Sequence, residues 1–166
     1  MKLKLFLLSA VVLLSASVQA QDLRWSLNKI TEDYFKMQKA LAAGNATMVT
    51  EGSQAFIWDA RAIQVNSMSY EQYQQWFSHM DKLMKASRGI SQGRSLDAQK
   101  QSYSDLSKQL FETMKLFHLN KSTTYKLSCA GYTWLNQSGT VSNPYVGKAD
   151  KNKQCGNIDD MLKPGK

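Results

Sequence analysis

The sequence predicts a mainly α-helical protein, in which an antiparallel four-helix bundle is followed by an extended, turn-rich C-terminal flap. Four stretches repeat apolar residues at the period of an amphipathic helix, and only short polar connections separate them. This periodicity stops after Leu119. The two cysteines of the chain, Cys129 and Cys155, both lie in the part that follows, where a disulfide would clip the flap.

In chain order, helices are predicted over about residues 24–43, 46–65, 69–89 and 95–117. Gly44 and Asn45 are well suited to stop the first helix, because both residue types tolerate a left-handed backbone. Ser69 and Gln72 fit a capping box at the start of the third helix. Ser95 is a suitable N-cap for the fourth helix, whose apolar period is the most regular.

The flap covers about residues 121–166. Its first segment, "TTYKLSCA", is rich in β-branched and aromatic residues and predicts a short strand, whereas "IDDML" near the end predicts one helical turn. Trp134 and Tyr145, with Pro144 in the turn beside Tyr145, are predicted to pack the flap onto the bundle. Large amphipathic aromatic side chains in a turn-rich segment need a surface to cover.

Residues 1–20 have the features of a signal peptide. Lys2 and Lys4 precede an apolar run that is too short to span a bilayer, and the small residues of "SVQA" follow it. We expect cleavage before Gln21 and a mature chain, residues 21–166, that forms a single domain. No later stretch is apolar enough to cross a membrane, so the mature chain is expected to be periplasmic or secreted.

The two cysteines have two interpretations. In an exported chain, Cys129 and Cys155 most simply form one disulfide. If they are reduced, their thiolates could ligate a soft metal ion instead.

The charge of the chain is uneven. The formal net charge is +8, and residues 121–166 contain seven basic and three acidic side chains. A solvated, lysine-rich surface explains this excess. The alternative is that the basic tail, with Lys148, Lys151 and Lys153, docks a partner protein or an anionic surface. No nucleic acid is expected as a partner, because the exported chain contains no motif for it.

The sequence contains none of the common catalytic motifs, such as HExxH, GxSxG or a P-loop, so we expect neither an enzyme nor a cofactor. A metal hypothesis rests on "SHMDKLM", which places His79 and Met80 together and Met84 one helical turn later. Imidazole and thioether groups suit copper(I). The alternative is that Met80 and Met84 fill gaps in the core and that His79 is an exposed helix residue.

Three segments resemble a bacterial family of domains of unknown function, DUF3347. They are "YFKMQKALAAGNATMVTEGSQAF", "LDAQKQSYSDLSKQL" and "TYKLSCAGYTWLNQSGTVSNPYVGKADKNKQCG". The resemblance covers about residues 31–160. Where the family commonly has His-Cys-Pro-Met at the first cysteine, this chain has Ser128, Cys129, Ala130 and Gly131. The loss of these ligand types, with both cysteines retained, favours a structural disulfide.

The resemblance implies a bacterial envelope protein, because the family occurs alone and fused to adaptor subunits of copper and silver efflux pumps. We therefore expect an exported, non-enzymatic protein with an accessory or binding role linked to heavy-metal efflux or tolerance. Its expected partner is an envelope protein or an efflux component. The alternatives are a direct copper-type metal-binding protein and a partner-docking module that uses the basic tail.

Overall fold

The computed structural model describes residues 27–66, 68–118, 120–146 and 155–165. The predicted signal peptide and its cleavage site before Gln21 lie outside these residues. Lys148, Lys151 and Lys153, the lysines of the predicted docking tail, lie outside them as well. The described part is mainly helical and ends in a small antiparallel sheet.

Four helices occupy the part of the chain where the apolar period predicts them. They are α1 (residues 27–42), α2 (Ala46–Arg61), α3 (Tyr70–Ser91) and α4 (Leu96–Phe117). Helix α2 ends at Arg61, four residues before its predicted end. The apolar pattern continues to Ile63 and Val65, but these two residues contact the core from an irregular segment. None of the described helices is both long and apolar enough to span a membrane.

The predicted helix caps are confirmed. The Ser69 hydroxyl accepts from the N–H of Gln72 at 3.2 Å, and the Gln72 side chain accepts from the N–H of Ser69 at 3.0 Å. Ser95 caps α4 by accepting from the N–H of Ala98. Gly44 has a φ of +70°, which ends α1 and allows Asn45 to cap α2 at once.

Small residues allow neighbouring helices to approach closely. A Cβ atom on Gly52 of α2 would lie only 2.7 Å from Cγ of Met37 in α1. Between α2 and α3, the buried Ser53 hydroxyl donates to the carbonyl of Ser87 at 2.6 Å, and Ser87 returns a hydrogen bond to the carbonyl of Ser53 at 3.2 Å. These bonds satisfy polar groups that would be costly to bury alone.

The C-terminal part forms a three-stranded sheet with strand order β2-β1-β3, in which both pairs are antiparallel. Its strands are β1 (Thr124–Cys129), β2 (Tyr132–Asn136) and β3 (Asn157–Leu162). Ala130 and Gly131 connect β1 to β2, and both have a positive φ. Two-residue hairpin turns of the favoured type require this backbone conformation.

The prediction of a helical turn in "IDDML" is wrong, since this segment belongs to β3. Cys129 ends β1 and Cys155 precedes β3, with 5.8 Å between their Cα atoms. The disulfide therefore holds the segment beside the open edge of β1. In the register of these two strands, Lys126 lies opposite Asp160. Pairing with a distant strand outweighs local helix preference in so short a segment.

The outer edge of β2 is closed by side chains from the helices. The N–H of Thr133 donates to the Ser104 hydroxyl at 2.8 Å, and the N–H of Leu135 donates to the Tyr34 hydroxyl at 2.8 Å. The carbonyl of Leu135 accepts from Gln38 at 2.9 Å. These contacts fix the sheet against α1 and α4 and prevent another strand from pairing there.

Candidate functional site

A cleft of about 540 Å³ opens where the C-terminal end of α4 meets β3. We call it the α4–β3 cleft. Its apolar lining comes from Met114, Met161, Leu162 and Pro164, and its charged or titratable lining from Lys115, His118 and Lys163. An apolar interior with a few polar groups at its margin is the usual character of a binding site in proteins.

Local backbone features shape this cleft. His118 ends α4 in the left-handed conformation, with a φ of 50°, and turns the chain away from the helix axis. The buried Asn120 side chain then donates to the carbonyl of Lys163 at 2.9 Å, and the carbonyl of Asn120 accepts from the N–H of Gly165 at 3.0 Å. A Cβ atom on Gly165 would overlap the His118 carbonyl, so this wall of the cleft requires glycine.

The polar side of the α4–β3 cleft is cationic. Lys115 donates to Asp160 at 3.0 Å. This hydrogen bond from Lys115, together with one from the N–H of Met161, lowers the pKa of Asp160. Lys115 is exposed and Asp160 is only half-buried, so the ion pair contributes little to stability. Among the described residues Lys163 makes no ion pair, and its charge remains available to a ligand.

Three soft donor side chains line the same cleft, namely Met114, His118 and Met161. No sequence pattern points to these three residues as a group, because Met161 lies far along the chain from the other two. Met114 belongs to the apolar face of a helix, where a core role is the simplest interpretation. Only the pairing of β3 with β1 brings Met161 to the end of α4.

The metal candidates predicted on α3, namely His79, Met80 and Met84, have different surroundings. His79 faces α4, where its Nδ1 lies 3.2 Å from the Thr113 hydroxyl. Thr113 donates to the carbonyl of Gln109, so it accepts from His79 and leaves Nε2 with a free lone pair. Burial and the charge of Lys82 lower the pKa of His79.

Met80 and Met84 are part of the hydrophobic packing, and Met84 is buried. Within residues 27–66, 68–118, 120–146 and 155–165, no three side chains of the types His, Cys, Asp or Glu come together as metal ligands.

The predicted disulfide between Cys129 and Cys155 is confirmed. With the two sulfurs bonded to each other, neither is available to a metal. The Asn143 side chain donates to the carbonyl of Cys155 at 3.1 Å, so the turn is tied to the disulfide.

Trp134, Pro144 and Tyr145 all pack at the junction of flap and helices. Trp134 and Pro144 are buried, and Trp134 belongs to the same core as the helices. The Tyr145 ring stacks on Tyr132 at 4.6 Å and lies edge-on to Tyr103 of α4 at 6.2 Å. The Tyr145 hydroxyl donates to the carbonyl of Thr133, which secures the turn against β2.

A family model described as "Protein of unknown function (DUF3347)" matches residues 30–122. The chain belongs to this family. The matched range contains most of α1 and all of α2, α3 and α4, and it ends before β1. The DUF3347 match therefore leaves out both cysteines and Trp134, and the resemblance noted for the tail stays a prediction. No curated protein and no solved structure matches the chain.

Proposed function

We propose that the protein is an exported, non-enzymatic binding or accessory protein of the bacterial envelope, linked to heavy-metal efflux or tolerance. The disulfide supports the compartment, because such bonds persist in the periplasm and outside the cell. The α4–β3 cleft is the observation that supports a binding role most directly. It combines an apolar interior with the charge of Lys163, which makes no ion pair within the part of the chain that the structure describes.

The chemistry of this cleft favours an acidic, partly apolar segment of an envelope protein or efflux component as the ligand. Lys163 and Lys115 would attract its carboxylates, and Met161, which is 43% exposed, would cover its apolar side chains. Lys163 lies in the basic C-terminal part, so this proposal includes the tail as a docking element.

Growth of the source bacterium in copper and in silver tests the proposal. Deletion of the gene should lower tolerance, and the wild-type gene should restore it. The double variant Lys115→Glu/Lys163→Glu should fail to restore it, whereas the charge-matched control Lys82→Glu/Lys85→Glu on α3 should succeed. Unchanged tolerance after deletion would contradict the link to heavy metals.

Direct binding of a soft metal is the second candidate, favoured by Met114, His118 and Met161 in one cleft. The lysines of the cleft oppose a cation, which is why this candidate ranks second. Copper(I) titration against a competing chelator decides it. Met161→Leu and His118→Gln should each weaken binding at least about tenfold, and the control His79→Gln should not. A wild-type protein that leaves copper(I) on the chelator would eliminate direct binding but not the docking role.

We also infer that the four helices form an antiparallel up-and-down bundle. Contacts between α1 and α2 at Gly52 and between α2 and α3 at Ser53 support this arrangement. Short connections between consecutive helices favour antiparallel neighbours. An experimental structure in which two consecutive helices run parallel would contradict it.

A further inference from the structure

A buried carboxyl group lies between α1 and α2. The side chain of Asp33 in α1 is only 2% exposed. One of its oxygens, Oδ1, accepts from Lys36 at 2.8 Å. The other, Oδ2, is buried and has no hydrogen-bond partner among the described residues. A buried carboxylate oxygen without a hydrogen-bond donor is costly. Oδ2 therefore needs a neighbouring group that can donate a proton to it.

The group that meets Asp33 is a second carboxyl, that of Asp59 in α2. Asp33 lies one helical turn from Lys29 on α1, and Lys29 contacts Asp59, which places the two carboxyl groups side by side between the helices. Asp59 is 22% exposed and lies 3.9 Å from the Lys29 ammonium. Two carboxylates cannot hydrogen-bond to each other, because each offers only acceptors. A carboxylic acid and a carboxylate can, and the acid would donate to the unpartnered oxygen of Asp33.

We propose that Asp33 and Asp59 share one proton, which links α1 to α2 through a carboxyl–carboxylate hydrogen bond. The proton resides mainly on Asp59, the more exposed partner, because the carboxylate of Asp33 is stabilised by Lys36. Lys29 and Lys36 already supply two positive charges around the pair, so a further metal cation would be repelled. A proton is small enough to fit between the two oxygens.

The groups around the pair shift the pKa of Asp59 in opposite directions. Burial, the hydrogen bond to Asp33 and the charge of Asp33 raise the pKa of Asp59, and Lys29 and Lys36 oppose the shift. Glu32 adds negative charge on α1 near Lys36. The folded protein holds this proton more tightly than the unfolded chain does. The proton's contribution to the free energy of unfolding is therefore fully present below the ordinary pKa of 3.8 and is lost as pH rises through the folded-state pKa. Helix α1 is therefore held to α2 more firmly as pH falls towards 3.8.

Carbon-13 NMR of the aspartate carboxyl groups tests this in the full mature chain. We expect the carboxyl signal of Asp59 to titrate with a midpoint above 3.8, and the chemical shift of the Asp33 carboxyl to change in the same pH range, because the shared proton lies between them. The Asp33→Asn variant should bring the midpoint of Asp59 down to 3.8 or below, because an amide can donate to the charged carboxylate. The carboxyl signal of the exposed Asp105, which pairs with Lys108, provides the reference for comparison.

Thermal unfolding between pH 4 and 7 gives a second readout that needs no variant at Asp33. Asp59→Asn should match the wild type at low pH and be more stable at pH 7, since the amide donates to Asp33 at every pH. The control Asp105→Asn should follow the wild-type profile. A midpoint of Asp59 at or below 3.8 with no accompanying change in the Asp33 signal, together with parallel melting profiles for wild type and Asp59→Asn, would overturn the proposal.

Discussion

The backbone N–H of Leu135 in the C-terminal sheet donates to the phenolic oxygen of Tyr34 in the first helix, at 2.8 Å. The same oxygen lies 2.8 Å from the hydroxyl of Ser107 in α4. One buried side chain thus joins three elements that are far apart in the sequence. This contact explains why the sheet and the helices share one hydrophobic core.

Removal of this hydroxyl should destabilise the whole fold. We expect Tyr34→Phe to lower the free energy of unfolding by about 1–3 kcal/mol, because the N–H of Leu135 and the hydroxyl of Ser107 lose a buried partner. Urea unfolding followed by circular dichroism measures this. Tyr70→Phe is the matched control, since Tyr70 is 81% exposed. Equal effects of the two variants would contradict the role assigned to Tyr34.

Alkaline pH should weaken the fold through the same residue. Burial raises the pKa of Tyr34 from 10.0 to about 12. The folded state therefore keeps its proton more tightly than the unfolded chain, so stability is present below pH 10 and is lost between pH 10 and 12. A shift of this size corresponds to about 2–3 kcal/mol.

Urea unfolding at a series of pH values from 9 to 12 would reveal this loss. Tyr34→Phe should show a shallower decline than the wild type, because the ionising group is gone. An identical decline in both proteins would assign the alkaline sensitivity to the buried Tyr103 and the half-buried Tyr145, whose pKa values burial also raises.

Close packing at Gly156 should make this position intolerant of a side chain. A Cβ atom there would lie 2.6 Å from Cγ1 of Val141 and 3.0 Å from the ring of Trp134. We expect Gly156→Ala to cost about 1–3 kcal/mol and to change the tryptophan fluorescence, because the backbone at residue 156 must move away from Trp134. Gly139→Ala is the control, since its nearest neighbour would be Tyr125 at an ordinary 3.8 Å. A silent Gly156→Ala variant would contradict the tight contact.

The disulfide should contribute a large part of the free energy of unfolding. Its closed loop of about 27 residues corresponds to roughly 3–4 kcal/mol in the chain-entropy model. Cys129→Ser/Cys155→Ser should lose about this amount in urea unfolding. A reducing agent should destabilise the wild type to a similar level and leave the double variant unchanged. A reductant effect in the double variant would mean that the measured loss has another cause.

The helices and caps follow from the sequence because the interactions that make them are local. The Ser69 capping box and the left-handed Gly44 each depend on residues within three or four positions. The disulfide was also predictable, since two cysteines in a chain that is predicted to be exported leave one pairing. Strand β3 was not predictable, because "IDDML" becomes a strand only through its hydrogen bonds to the edge of β1.

The candidate sites show the same division more sharply. The sequence by itself determined four amphipathic helices, a cysteine pair and an aromatic flap, because residue spacing and type encode them directly. Only the tertiary structure brought Met161 to Met114 and His118, and only it set the Asp59 carboxyl against the buried Asp33. Such contacts join residues that are tens of positions apart in the sequence. The local spacing of apolar residues carries no information about them.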